Sequence, residues 1–272
     1  MTDIGVPLLV DPEQLDKLSG TNNLLTIDLC SAENYAKYHI PGAVHLDYAK
    51  IVAGNKPVMG LIPNSDALSE TLGAIGVTPE TWIVAYDDEG CGRAGRLLWT
   101  LEILGHRRYT CLNGGLIAWI NEGYRVNNQP VTPNSAANYP VAWNDSPIAE
   151  RSYILEHLDH PQVCLVDTRS VPEYTGERKL AERGGHIPGA VHFEWTEAMD
   201  MVNFRKLRSD DELRNLFAAR GVTPDREIIT YCQTHHRSSH TWLVLKHLGY
   251  KRIKGYPGAW SDWGNQTDTP VE

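Results

Sequence analysis

Short apolar runs alternate along the chain with stretches whose apolar positions recur every three or four residues. The runs Leu25-Thr26-Ile27-Asp28, Ala43-Val44-His45-Leu46, Ile83-Val84-Ala85-Tyr86 and Arg108 to Leu112 read as strands, and Pro12–Leu18 and Asp66–Leu72 read as helices. The second half repeats the alternation: a helix over Ala149–Leu158, strands at Leu165-Val166-Asp167, Ala190–Phe193 and Glu227–Tyr231, a helix over Asp210–Ala219, and a last strand at Arg252-Ile253. Gly76-Val77-Thr78-Pro79 and Gly221-Val222-Thr223-Pro224 each end a helix, since glycine and proline close helices. Alternating β and α elements with short buried strands predict an α/β fold, a parallel sheet covered by helices on both faces. In such sheets ligands bind beyond the carboxyl ends of the strands.

The alternation occurs twice. His39-Ile40-Pro41-Gly42-Ala43-Val44-His45 returns as His186-Ile187-Pro188-Gly189-Ala190-Val191-His192, Leu104-Gly105 as Leu248-Gly249, and Ala118-Trp119 as Ala259-Trp260. Blocks that return in the same order mark an internal duplication. Between the copies lies Asn127-Asn128-Gln129-Pro130-Val131-Thr132-Pro133, a composition that stops regular structure and predicts an extended linker. The expected organisation is therefore a first domain over 1–125, a linker over 126–147 and a second domain over 148–272. Because a tandem pair already forms a pseudo-dimer, a monomer is expected.

A net charge of −9 with no basic stripe argues against nucleic acid as a partner. No apolar stretch reaches the length of a membrane span, and Met1 to Pro7 lacks the basic flank and apolar core of a secretory signal. Five cysteines without paired spacing suit a reducing compartment, so the cytoplasm is the expectation.

The two copies diverge at one loop. In the second, the strand Glu227–Tyr231 ends at Cys232, and Gln233-Thr234-His235-His236-Arg237 leads into the helical stretch from Thr241. A thiol at a strand end beside a helix N-terminus meets backbone N–H groups that favour an anion, which lowers its pKa and arms a nucleophile. The first copy has Asp87-Asp88-Glu89-Gly90 at the matching place, and carboxylates there suit neither an anionic substrate nor sulfur chemistry. Arg169 follows Asp167 at another strand end, where the first copy has Cys30, and a guanidinium is suited to an anion. A mixed-charge insertion, Glu177 to Arg183, is present only in the second copy and reads as a solvated loop. Cys232, His235, His236 and His240 match no standard zinc framework, so no metal is expected. The paired His-Ile-Pro-Gly-Ala-Val-His blocks read as structural, because the inert copy also has them.

Asp167-Thr168-Arg169, Gly185-His186-Ile187-Pro188-Gly189-Ala190 and the strand–Cys–loop–helix order resemble the rhodanese superfamily. The duplication, with an acidic residue replacing the first cysteine, is similar to two-domain sulfurtransferases, and the loop Cys232 to Arg237 to a bacterial subgroup of them. The resemblance implies two tandem rhodanese-like domains and a double displacement. Cys232 would take a sulfane sulfur from a small anionic donor, thiosulfate or a related compound, and pass it to cyanide, a thiol or a protein acceptor. No cofactor is implied, since the persulfide is the carrier. Within that scheme Arg169, His235 and Arg237 are the expected substrate-binding residues, His235 orienting the donor or steadying the thiolate and Arg237 also bracing the loop, with Gln233, Thr234 and His236 shaping its mouth. The alternatives are 3-mercaptopyruvate as donor, a non-catalytic persulfide carrier or redox sensor, and a cysteine-dependent phosphatase. Phosphatase loops place five residues between cysteine and arginine. Here there are four, a cradle sized for one sulfur atom.

Overall fold

The computed structural model describes residues 6–272; Met1 to Gly5, part of the N-terminal stretch read above, lie outside the described residues. In chain order the first half holds β1 (Leu9–Val10), α1 (Pro12–Leu18), β2 (Leu24–Asp28), α2 (Ala32–Lys37), β3 (Val44–His45), β4 (Ala53–Asn55), β5 (Val58–Leu61), α3 (Ser65–Ala74), β6 (Trp82–Tyr86), α4 (Gly92–Ile103), β7 (Tyr109–Leu112) and α5 (Gly115–Asn121). The second half holds α6 (Arg151–Glu156), β8 (Val163–Asp167), α7 (Val171–Tyr174), β9 (Val191–His192), β10 (Met199–Asp200), β11 (Lys206–Leu207), α8 (Asp210–Ala218), β12 (Glu227–Tyr231), α9 (Arg237–His247), β13 (Ile253–Gly255) and α10 (Ala259–Trp263). No helix among the described residues is long and apolar enough to cross a membrane.

The chain forms two compact units. Unit 1 comprises the chain to Ile51, Pro63–Asn144 and Asp200–Leu207; unit 2 comprises Val52–Ile62, Asp145–Met199 and Arg208–Glu272. Each unit thus includes a short segment from the other half of the sequence. The β4–β5 hairpin is encoded in the first copy yet belongs to unit 2, where it packs on α10.

Unit 1 is built on a parallel sheet in the order β1-β7-β6-β2-β3, and unit 2 on one in the order β13-β12-β8-β9. The central strands are buried on both faces, which explains why they read as continuous apolar runs. Capping residues set the helix starts: the Ser31 side chain accepts from Asn34 N–H, Asn64 from Ala67 N–H, and Ser209 with Glu212 closes a reciprocal box. In unit 2 the core gathers Ile154, Leu165, Ile187, Ile229, Tyr231 and the indoles of Trp260 and Trp263 beneath β12.

The repeated blocks make matching contacts in each unit. Tyr35 stacks on His39 with centroids 3.9 Å apart and donates its hydroxyl to the Ala43 carbonyl. Tyr174 stacks on His186 at 3.7 Å and donates to the Ala190 carbonyl. The Ile40 and Ile187 N–H groups donate to the hydroxyls of Tyr86 and Tyr231, the last residues of the two central strands. These histidines and tyrosines fix the turn against the strand end, and their persistence in both copies reflects that load.

Ile229 is fully buried in the middle of β12. Ile229→Ala is expected to destabilise unit 2 by about 2–5 kcal/mol through the lost contacts and the cavity left behind. Denaturant unfolding followed by tryptophan fluorescence would show an earlier midpoint.

Candidate active site

β12 delivers Cys232 to the carboxyl edge of its sheet, with β8 on one side and β13 on the other. The loop leaves the strand under tight backbone control. Trp260 N–H donates to the Cys232 carbonyl and Ser261 N–H to the Gln233 carbonyl, each at 3.0 Å, so the start of α10 holds the first two residues of the loop. Thr230 Oγ1 donates to the Ser238 carbonyl at 3.1 Å, tying the strand to the first turn of α9.

Cys232 is 1 % exposed, at the floor of this loop. Burial works to raise its pKa. The Arg237 charge, the Ser238 hydroxyl and the backbone N–H groups of Ser238 and Thr234 outweigh that and bring the thiol from 9.0 down to about 7. The other four cysteines go the opposite way. Burial raises Cys30, Cys111 and Cys164; in Cys91, burial and the Asp87 carboxylate prevail over a hydrogen bond with Cys111 that lowers it. Cys232 is therefore the thiol set up to ionise near neutrality.

Arg237 is the source of the charge. Its Nη1 and Nη2 donate to the two oxygens of Glu173 at 2.7 and 2.8 Å, a bidentate pair in which Glu173 is 3 % exposed. Burial works to raise the Glu173 pKa, but the Arg237 and Ser170 hydrogen bonds hold it at about 2. Glu173 also completes the capping box of α7 by accepting from the Ser170 N–H and hydroxyl. One carboxylate thus anchors a helix and aims a guanidinium. The Ser-x-x-Glu spacing is legible in the sequence as a cap, but nothing there points to the second task.

Arg169 departs from its expected role. It is 1 % exposed, with Nε and Nη2 donating to the Asp167 carboxylate and Nη2 also to the Gly185 carbonyl. The guanidinium lies over the Trp260 ring at 4.4 Å. This is a core ion pair and not a group open to a donor. A strand-end arginine pattern cannot distinguish the two, because the distinction depends on the tryptophan packed across it.

His235 is also enclosed, with 0 % exposure. Its Nδ1 lies 2.7 Å from Ser238 Oγ, so it does not reach outward to a substrate. His236 caps α9 through its carbonyl, which accepts from Ser239 N–H and Oγ, and its ring lies beside Trp195. Gln233 Nε2 donates to the Leu180 carbonyl at 3.0 Å, which ties the loop to the insertion. That insertion is a solvent-exposed loop, as expected, anchored at its end: Arg183 donates to the Trp263 and Thr269 carbonyls, and Trp260 Nε1 donates to the Arg183 carbonyl.

Besides Glu173, two contributors escaped sequence reasoning. Ser238 adjoins Cys232 through both its hydroxyl and its N–H. Gly60, in β5, has φ +78, and a Cβ there would lie 2.1 Å from the Thr234 carbonyl oxygen. The Ser261 hydroxyl holds β5 in place by accepting from Met59 N–H and lying 2.9 Å from the Met59 carbonyl. No local pattern links residue 60 to residue 234.

In unit 1 the matching loop is intact but filled. The buried Asp87 carboxylate accepts the N–H groups of Glu89, Gly90 and Cys91 on Oδ1, at 2.8 to 3.0 Å, and of Ala94 on Oδ2 at 2.9 Å. The cradle holds its own carboxyl group, whose pKa burial and the nearby Glu89 charge raise against the hydrogen bonds from Ala94, Cys91 and Glu89.

The Rhodanese-like domain matches this chain twice, over residues 11–122 and 150–266. The chain belongs to the rhodanese family. A thiosulfate sulfurtransferase of Azotobacter vinelandii is 45% identical over 269 residues, covering 98% of this chain and 97% of its own length. One of Pseudomonas aeruginosa is 43% identical with the same coverage. The sulfur carrier protein TtuD of Thermus thermophilus is 33% identical over 87% of this chain and 86% of its own. The anaerobic ergothioneine biosynthesis enzyme of Chlorobium limicola superposes with a TM-score of 0.87 at 22% identity, over 97% of this chain and 70% of its own. At that identity the likeness shows the rhodanese fold alone.

Alkylation of Cys232 by iodoacetamide, followed by peptide mass spectrometry, is expected to accelerate through an inflection near pH 7, since only the thiolate reacts. Arg237→Gln removes the charge that lowers the thiol and is expected to move the inflection upward by about one unit or more. Gly60→Ala is expected to displace the Thr234 backbone and raise the inflection as well, while an alanine at exposed Gly123, which has open space around it, leaves it unchanged.

Proposed function

We propose that the chain is a thiosulfate sulfurtransferase working by double displacement through Cys232. The observation that carries this reading is the thiolate-stabilising loop: one sulfur receiving N–H groups from Thr234 and Ser238 beside the Arg237 charge. The Cys232 thiolate attacks the outer sulfur of thiosulfate. The S–S bond of the donor breaks, sulfite departs with the electron pair, and the outer sulfur remains on Cys232 as a persulfide anion. The same N–H groups and the same guanidinium then face a sulfur that is again negative, so resting and loaded states are both stabilised. The carbon of cyanide, or the sulfur of a thiol acceptor, attacks the terminal sulfur and returns the thiolate to the loop.

Arg237 serves as the fixed positive charge for donor and persulfide, and Glu173 keeps it aimed. A net charge of −9 makes that local charge a requirement for an anionic donor. Gln233, Thr234 and His236 form the walls at the loop, and a cradle with four residues between Cys232 and Arg237 suits a single sulfur atom better than a tetrahedral phosphate. The four unpaired companion cysteines suit a reducing compartment, so we assign the protein to the cytoplasm, acting as a monomer. A second reading, a sulfur carrier that hands its persulfide to a protein, is supported by the likeness to the Thermus protein.

Intact mass spectra taken after mixing the reduced protein with thiosulfate, and again after adding cyanide, test the proposal. The expected result is a gain of one sulfur atom that cyanide removes, and no gain in Cys232→Ser. Steady thiocyanate production separates the enzyme from the carrier. A Cys232→Ser protein that still gains cyanide-labile sulfur would overturn the assignment.

A further inference from the structure

His235 occupies the place that Gly90 holds in unit 1. Three residues after Asp87 and Cys232, unit 1 has Gly90 with φ +95 and unit 2 has His235 with φ +52. Left-handed backbone is open to glycine and costly for a residue with a side chain. The imidazole is nonetheless kept there, at 0 % exposure, with Nδ1 2.7 Å from the hydroxyl of Ser238. Ser238 is itself fully buried in the first turn of α9, with its carbonyl pinned by Thr230 Oγ1. Its hydroxyl has one hydrogen to give.

We infer that Ser238 is a catalytic hydrogen-bond donor to the Cys232 sulfur and that His235 is the positioning residue that aims it. His235 Nδ1–H donates to Ser238 Oγ, which leaves the serine hydrogen directed at the sulfur. A hydroxyl polarised in this way is a stronger donor to an anion than a free rotor. The neighbourhood of the sulfur supports this: the Ser238 hydroxyl and N–H both act to lower the thiol pKa. The charged groups that face the sulfur are Arg237, from the start of α9, and behind it Glu173, from α7, which partly offsets the guanidinium. A neutral donor that does not depend on that ion pair makes the thiolate less sensitive to its geometry. Of the two roles expected for His235, orienting the donor or steadying the thiolate, the arrangement favours the second, exerted through Ser238.

The inference rests on Cys232 being the sulfur-carrying thiol, and the test separates the two. Alkylation of Cys232 by iodoacetamide across pH, in the full chain, reports the thiolate without any sulfur donor. His235→Gly suits the local backbone, so unfolding in denaturant is expected to be unchanged or later than in the wild type. Its alkylation midpoint is expected to rise by about one unit, leaving about tenfold less thiolate at pH 6. Ser238→Ala is expected to do the same, and the double variant to shift no further than either alone. His235→Asn, which tolerates the left-handed conformation and offers an amide N–H to Ser238, is expected to restore the midpoint. Equal midpoints in wild type, His235→Gly and Ser238→Ala would overturn the inference, as would fully additive shifts in the double variant. A wild type that alkylates near pH 7 but takes no sulfur from thiosulfate would bring down the sulfur-carrying reading and leave this one standing.

Discussion

Backbone N–H groups converging beyond the end of a central parallel strand are the interaction on which the rest of this molecule depends. The turn from strand to helix leaves these donors without backbone acceptors, and a buried donor must find one. Unit 1 meets the requirement with the Asp87 carboxylate, which takes four of them. Unit 2 places a sulfur at the same point, where the Arg237 charge, followed by the Ser238 hydroxyl and the N–H groups of Ser238 and Thr234, favours the thiolate. The duplicated loop therefore illustrates one physical constraint with two solutions, of which one is closed and one is reactive.

Ionisation in so enclosed a place is a balance between large opposing effects. A sulfur that is 1 % exposed loses its hydration, and the buried Cys30 and Cys111 show where that leads when nothing compensates. The compensation at Cys232 comes from a guanidinium whose direction is set by a carboxylate of another helix. Asp167 and Arg169 show the contrasting use of the same chemistry. Their pair is fully enclosed, roofed by Trp260, and spends its charge on holding the strand end instead of on a ligand. Two arginines a few residues from strand ends thus take opposite roles, according to what lies across from each.

Much of this was legible in the residues. Periodicity located both sheets and five of the ten helices named above, with shifts of one or two residues at their ends except at the start of α9, which begins at Arg237 and not at Thr241. The duplication, the family and the contrast between Asp87 and Cys232 follow from motif order alone. The short hairpins β4–β5 and β10–β11 were not foreseen, because their strands of two to four residues bury little and leave no periodic signal.

What the sequence by itself determined is the local grammar: strand, loop, helix, and a nucleophile at the junction. These depend on spacing along the chain and on backbone preferences that act over a few residues. Only the tertiary structure decided that Arg237 faces the sulfur while Arg169 is locked in the core, that His235 turns inward to Ser238, and that Gly60 lies against Thr234. Each of these is a matter of burial and of partners distant in sequence. The free energy of a charge or a hydrogen bond is set by the atoms that surround it, and those atoms come together only when the chain has folded.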